Sequence, residues 1–254
     1  MRRISVFTAA AVLAVLLWTV ASGMYFESIS GKGGMSFRVC PQTAAGINLT
    51  AIDDLFVRAM DKKSGDVYIQ GDPKAQYELG VLFYTMYNAT QHESVEEDKE
   101  AQSYGRAFNL TQAAYWLNRA ANEDYAPAQF LLYYIQLWCM GEHGTAYVWL
   151  DKAVQNGYSK AQAMRANILL NNAMPYSRTK DKAKKKESAD MFKSAFDLAS
   201  KSAAQGDAFG MYVLYRIHND KTCPMYNEAQ AEKWLRKAQN AARNDPDITI
   251  SIRD

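Results

Sequence analysis

Trp149-Leu150-Asp151-Lys152-Ala153, followed by Gly157 and then by Ala161-Gln162, is the stretch that decides the fold. The same phrase stands 33 residues earlier as Trp116-Leu117-Asn118-Arg119-Ala120, Asp124 and Ala128-Gln129. A fixed period in the thirties marks helical units that stack because none can bury its apolar face alone. Toward the N-terminus, Gly71 and Ala75-Gln76 repeat the second half of the phrase. Toward the C-terminus, Leu198, Gly206 and Gly210 form a weaker copy, and Trp234-Leu235-Arg236-Lys237-Ala238 is the last. Each part has a physical reading. Gly157 and Gly206 suit helix C-termini that need a left-handed residue, and Asp124 tolerates that conformation. Ala75, Ala128, Ala161 and Gly210 are small, which lets a neighbouring helix come close. The tryptophans share adjoining helix positions with Leu and Ala and read as core.

The phrases place helix pairs over 73–88 with 109–122, 126–139 with 145–156, 159–172 with 187–205, and 207–219 with 227–243. A further helix is expected from Leu49 to Lys63, with Thr50 as its N-cap. The fold class is therefore all-α, a right-handed solenoid of antiparallel helix hairpins over 50–243. Segments 89–108 and 173–186 break the period and read as long polar loops, which in compact arrays carry function or disorder. The basic run from Lys180 to Lys186 falls in the second of them and reads as solvated, or as a contact for anionic lipid or an acidic partner. Residues 24–49 hold Gly31-Lys32-Gly33-Gly34 and read as a linker or irregular N-terminal segment. In the tail, 244–254, Ile248 to Ile252 alternates at strand period over a very short run.

These residues resemble the Sel-one-like repeat, a relative of the tetratricopeptide repeat. Its units run A-x-x-x-L-G-x-x-Y, a loop, then A-x-x-W-x-x-K-A-A-x-x-G. Ala75 through Tyr84 follows the first half, and Ala146 through Gly157 follows the second, as do Ala113 through Ala121 and Ala231 through Ala238. The family's Gly-x-Gly-Val loop is missing, and only the first unit has Leu-Gly, at Leu79-Gly80. The resemblance implies a scaffold that binds another protein without catalysis or cofactor. Exported bacterial members include immunity proteins that occupy type VI secretion phospholipase effectors in the periplasm. In that case the partner is a secreted phospholipase toxin. The alternative is an envelope adaptor or regulator of cell-wall or membrane-protein assembly.

The N-terminus sets the expected compartment. Met1-Arg2-Arg3 precedes an apolar run from Val6 to Val20 and the small residues Ala21-Ser22-Gly23. Residues 1–23 read as a secretory signal or, retained, as an anchor in the inner membrane. Either reading places the repeats in the periplasm, soluble or tethered. The sequence holds 29 basic and 27 acidic residues. Without Arg2 and Arg3 it is neutral, which argues against nucleic acid as a partner.

Catalytic signals are absent. His92, His143 and His218 are scattered without metal-ligand spacing. No nucleophile elbow, phosphate loop or His-Glu-x-x-His occurs. Cys40, Cys139 and Cys223 are an odd set, so a bridge would leave one thiol, and the sequence does not choose the pair. Aromatic residues are the remaining clue to binding, because Tyr buries large area at low entropic cost and keeps a polar tip. Tyr77, Tyr84, Tyr87, Tyr133, Tyr134, Tyr212 and Tyr215 are the expected partner-binding residues, on the first helix of each pair.

Overall fold

The computed structural model describes residues 25–27, 34–38, 49–64, 66–89, 99–245 and 248–251. The expected signal or anchor, His92 and Cys40 lie outside them. Among the described residues no helix is long and apolar enough to cross a membrane. In sequence order the elements are β1 (Tyr25–Glu27), β2 (Gly34–Arg38), α1 (Leu49–Ala59), β3 (Lys62–Ser64), β4 (Val67–Ile69), α2 (Pro73–Ala89) and α3 (Lys99–Asn122). Then come α4 (Ala126–Tyr134), continued by a π-helical segment (Ile135–Met140), α5 (His143–Gln155), α6 (Ser159–Ser177), α7 (Lys182–Ala204), α8 (Ala208–Asn219), α9 (Glu228–Ala242) and β5 (Ile248–Ser251). The body is all-α and built of successive helix hairpins, as the period requires. The described residues form two compact units, the first over those between 49 and 146, the second over those between 147 and 251 with 25–27 and 34–37.

One device closes three successive repeats. Asp124, Gly157 and Gly206 have φ of 57°, 77° and 86°. The N–H of each following residue reaches back to the last turn, Tyr125 to Ala120 O at 3.1 Å, Tyr158 to Ala153 O at 3.0 Å and Asp207 to Ser202 O at 3.4 Å. The left-handed residues donate to Ala121, Val154 and Ala203 at 3.2, 3.0 and 3.0 Å. This double closure satisfies carbonyls that a helix end otherwise leaves without partners. The conformation expected at all three positions is present.

The glutamine of the Ala-Gln pair has a role that the period alone does not reveal. Gln76 Nε2 donates to Ala59 O at 3.1 Å and Gln129 Nε2 donates to Ala121 O at 3.0 Å. Both acceptors are carbonyls at the end of the preceding helix. In the third repeat Gln205 Nε2 donates to Gly157 O at 3.1 Å and to Gln162 Oε1 at 3.0 Å. The bond from Gln76 makes α1 the partner of α2 in this pattern, with Asp54-Leu55-Phe56-Val57-Arg58 standing where Trp116-Leu117-Asn118-Arg119-Ala120 stands in the next repeat, and Ala59 where Ala121 stands.

In the first unit the core joins α1, α2 and α3 through Ile52, Leu55, Ala59, Ala75, Leu79, Leu82 and Trp116. Phe56 sets its ring edge-on against both Phe83, at 6.4 Å, and Trp116, at 5.9 Å. In the second unit Leu170 and Ala173 of α6 are buried, as are Phe192, Ala195 and Ala199 of α7. Ser188 Oγ donates to Ala173 O at 2.9 Å and ties the two helices near their turn.

Four expectations are corrected. The presumed loop 89–108 is helical from Lys99 onward, and the presumed loop 173–186 is helix except for 178–181. Asp181 caps α7 by accepting from Ala183 N at 2.8 Å and Lys184 N at 3.3 Å, so Lys182 to Lys186 form its first turns and are not loop. Pro175 does not stop α6; it sits inside the last turns, where it withholds one N–H. The segment 24–49 is not wholly irregular, since β2 pairs antiparallel with β5 in the tail, Met35 opposite Ile250. Finally, α1 ends at Ala59, and a small antiparallel hairpin, β3 against β4, follows it.

Candidate protein-interaction surface

The seven tyrosines divide by helix register. Tyr84, Tyr133, Tyr134 and Tyr212 are buried to 4% exposure or less and belong to the core, which corrects their expected place on a partner-binding face. Burial pushes the Tyr134 phenol well above its ordinary range. Tyr77, Tyr87 and Tyr215 are half-buried. Tyr77 leans on Tyr125 at 5.4 Å, Tyr87 stacks on Tyr84 at 6.0 Å under the Arg106 guanidinium, and Tyr215 leans on Tyr212 at 5.6 Å. These seven side chains do not converge on one open face. Periodicity finds tyrosine on a helix, but the side it takes depends on which neighbour packs there.

A different aromatic set is open. In the first unit Tyr104, Phe108 and Tyr115 are 70%, 59% and 49% exposed. Their spacing of four and seven puts them on one stripe of α3, opposite the buried Ala113, Trp116, Leu117 and Ala120. The stripe is anchored from beneath, since Phe108 meets Phe83 edge-on at 6.4 Å and Tyr115 meets Trp116 at 5.1 Å. Arg119 continues it one turn on, with its guanidinium over Trp116 at 5.7 Å and Tyr115 at 6.0 Å. Sequence reasoning passed over these residues. The signal was there, because α3 carries aromatics at both core and solvent positions.

Arg119 joins this stripe to the β3–β4 hairpin. Asp61, just past α1, accepts from the Arg119 guanidinium, from the Tyr68 hydroxyl and, at 2.9 Å, from the Gly71 N–H. The hydrogen bond from Tyr68, then that from Gly71 and the charge of Arg119, hold the Asp61 carboxyl below its ordinary 3.8. Tyr68 and Ile69 of the hairpin are 65% and 49% exposed, so the hairpin adds apolar surface beside the node. Asp61 carries the arrangement while ionised. The anchorage is complete above the ordinary carboxylate range and is lost as pH falls through the lowered value. Asp61→Asn is expected to release the hairpin at neutral pH and to abolish that acid transition, read from the Gly71 amide and Tyr68 ring signals in NMR. A Gly71 amide unmoved by the substitution would contradict the role given to Asp61.

His218 sits with Nδ1 2.8 Å from Met225 O and its ring edge-on to Phe196. Cys139 and Cys223 are free thiols, Cys223 the more buried, and burial raises both. Among the described residues no group of three His, Cys, Asp or Glu side chains converges.

No family model matches the sequence, and no curated protein matches it. Among solved structures it is similar to a Sel1 repeat protein from Oxalobacter formigenes, with 18% identity and a TM-score of 0.35, covering 68% of this chain and 63% of that one. It is also similar to a protective antigen present in uropathogenic Escherichia coli strains displaying an SLR fold. There the identity is 20% and the TM-score 0.38, covering 66% of this chain and 38% of that one. The match thus spans less than two thirds of the length of either structure.

Proposed function

We propose that the protein is a non-catalytic scaffold that binds another protein through the aromatic face of its first unit. The observation that carries this reading is the exposed stripe Tyr104, Phe108 and Tyr115 on α3, which runs toward the Arg119–Asp61 pair and the exposed Tyr68. Large apolar side chains held open in a row cost solubility, and such rows mark interaction sites. Aromatic residues and Arg are also the types that dominate binding energy. The stripe is pre-organised by the rings beneath it, which lowers the entropy lost on association.

In its narrower form the partner is a secreted phospholipase toxin, neutralised by occupation of its active site in the periplasm. What supports this is the resemblance of the repeats to exported immunity proteins, together with the export-type N-terminus. The test has two parts. Affinity capture with the full-length protein should retain a phospholipase encoded beside it, and co-expression should restore growth to cells producing that toxin. The triple variant Tyr104→Ser, Phe108→Ser, Tyr115→Ser should lose at least about a hundredfold in affinity, two such anchors alone supplying that much. Its thermal unfolding should stay close to that of the parent, since all three side chains face solvent. Undiminished binding by a folded triple variant would remove this face from the proposal, and a protein that neither binds nor protects would end the immunity reading.

A further inference from the structure

We propose that the second unit holds a carboxylate-binding site centred on the Arg216 guanidinium, between α6 and α8. Arg216 is only 7% exposed and has no acidic partner within ion-pairing distance among the described residues. Its two terminal nitrogens rest instead on neutral amides one helical turn apart on α6. One donates to Asn167 Oδ1 and the other to Asn171 Oδ1 at 2.9 Å. A buried cation is normally paired, because amide oxygens replace only part of the water it gives up. Burial indeed depresses the basicity of this guanidinium. The second unit therefore carries a buried positive charge with no carboxylate in contact with it, where a hydrophobic side chain would have packed at no such cost.

The geometry says what would complete it. Arginine only donates, so both amides must turn their oxygens to it, and both NH2 groups then point elsewhere. Neither NH2 group donates to a described residue. Arg216 is buried, Asn167 half-buried and Asn171 exposed, so the polar row runs from the interior to solvent. A carboxylate entering along this row meets the positive guanidinium and two amide N–H donors. The charge-assisted bonds so formed are about twice as strong as neutral ones. Asp220 raises the Arg216 basicity without touching it; its Oδ1 accepts from the Thr222 N–H and hydroxyl, both at 2.8 Å, and its buried Oδ2 accepts no hydrogen bond from a described residue. On the reading of a protein partner, the carboxylate comes from an Asp or Glu side chain or from the partner's free C-terminus.

The test begins without a partner, so its outcome is separate from that of the aromatic face. The full-length protein, isotopically labelled, is titrated with acetate while NMR reads the Arg216 guanidinium and the Asn167 and Asn171 side-chain amides. A saturable shift confined to these groups is expected, with roughly millimolar affinity for so small a ligand. Asn171→Leu, at the exposed rim, should weaken it at least tenfold while leaving the melting temperature near that of the parent. Arg216→Lys should keep the charge but lose the two-pronged contact and weaken it as well. Peptides ending in a free carboxylate, the same peptides amidated, and amidated peptides with an internal Glu then distinguish the two sources. No shift up to 100-fold above that affinity, or an equal shift in Asn171→Leu, would overturn the site. A response to inorganic phosphate with none to acetate would overturn its assignment to carboxylates.

Discussion

Trp116→Ala is expected to remove about 3–5 kcal/mol from the stability of the first unit, the range for truncating a well-buried large aromatic side chain. Trp234→Ala, the same change at the same place in the repeated phrase, is expected to cost about 1 kcal/mol. The difference lies in what each ring touches. Trp116 is 5% exposed and forms part of the core shared by α1, α2 and α3, with Phe56 edge-on at 5.9 Å. Its loss opens a void that Phe56 and Phe83 can only partly refill. Trp234 is half-buried, and Lys237 Nζ lies 4.3 Å from its ring centre in an arrangement worth about 0.5–1 kcal/mol at an exposed site. Small domains are stable by only about 5–15 kcal/mol, so the first change brings its unit close to unfolding and the second does not. Because two units need not unfold together, the measurement is native-state hydrogen exchange, read on α2 and α3 for Trp116→Ala and on α8 and α9 for Trp234→Ala. Equal losses at the two sites would show that the phrase, and not its local packing, sets the energy.

The contrast between these two tryptophans also marks how far the sequence alone reaches. The left-handed residues at 124, 157 and 206 were legible because their conformation is a property of one residue and its position after a helical run. The small residues were legible for a similar reason. Helix length was not. Insertions of polar, charged residues at 99–108 and 173–186 look like loops, yet they are good helix formers and simply extend helices whose cores are set elsewhere. The β3–β4 hairpin carried only the faint signal of Ser64-Gly65-Asp66 between short runs, too weak to displace a helix reading. The site was the least legible part. Tyr84 and Tyr115 both sit on helices at plausible spacings, but one is 2% exposed and the other 49%. Which tyrosine faces solvent is decided by the helix packed against it, and Arg216 with its two asparagines comes together from positions 45 and 49 residues apart.

Gly80→Ala is expected to destabilise the first unit by about 1–3 kcal/mol, although helix propensity alone argues for a gain of about 1 kcal/mol. Gly80 lies within α2, and a Cβ built there falls 2.7 Å from Leu117 Cδ2, closer still to Leu117 Cγ, and 3.3 Å from the Leu117 backbone nitrogen. The side chain has no free space to move into, because Leu117 is wholly buried. The backbone nitrogen belongs to α3, so relief would require the two helices to separate along their whole contact. Overpacking therefore outweighs propensity here. Gly105 supplies the opposite case on α3, since a Cβ there meets nothing within 4 Å. Gly105→Ala is expected to stabilise the same unit by about 0.5–1 kcal/mol, as the loss of backbone freedom in the unfolded state falls. Denaturant melts of the two variants should move in opposite directions from the parent. Leu117→Ala sharpens the argument. Alone it costs about 2–5 kcal/mol through the cavity it leaves, but combined with Gly80→Ala the added methyl partly fills that cavity. The double variant should therefore be more stable than the sum of the two single losses, by about 1 kcal/mol or more. Strict additivity would mean that Gly80 is small for a reason other than the approach of Leu117.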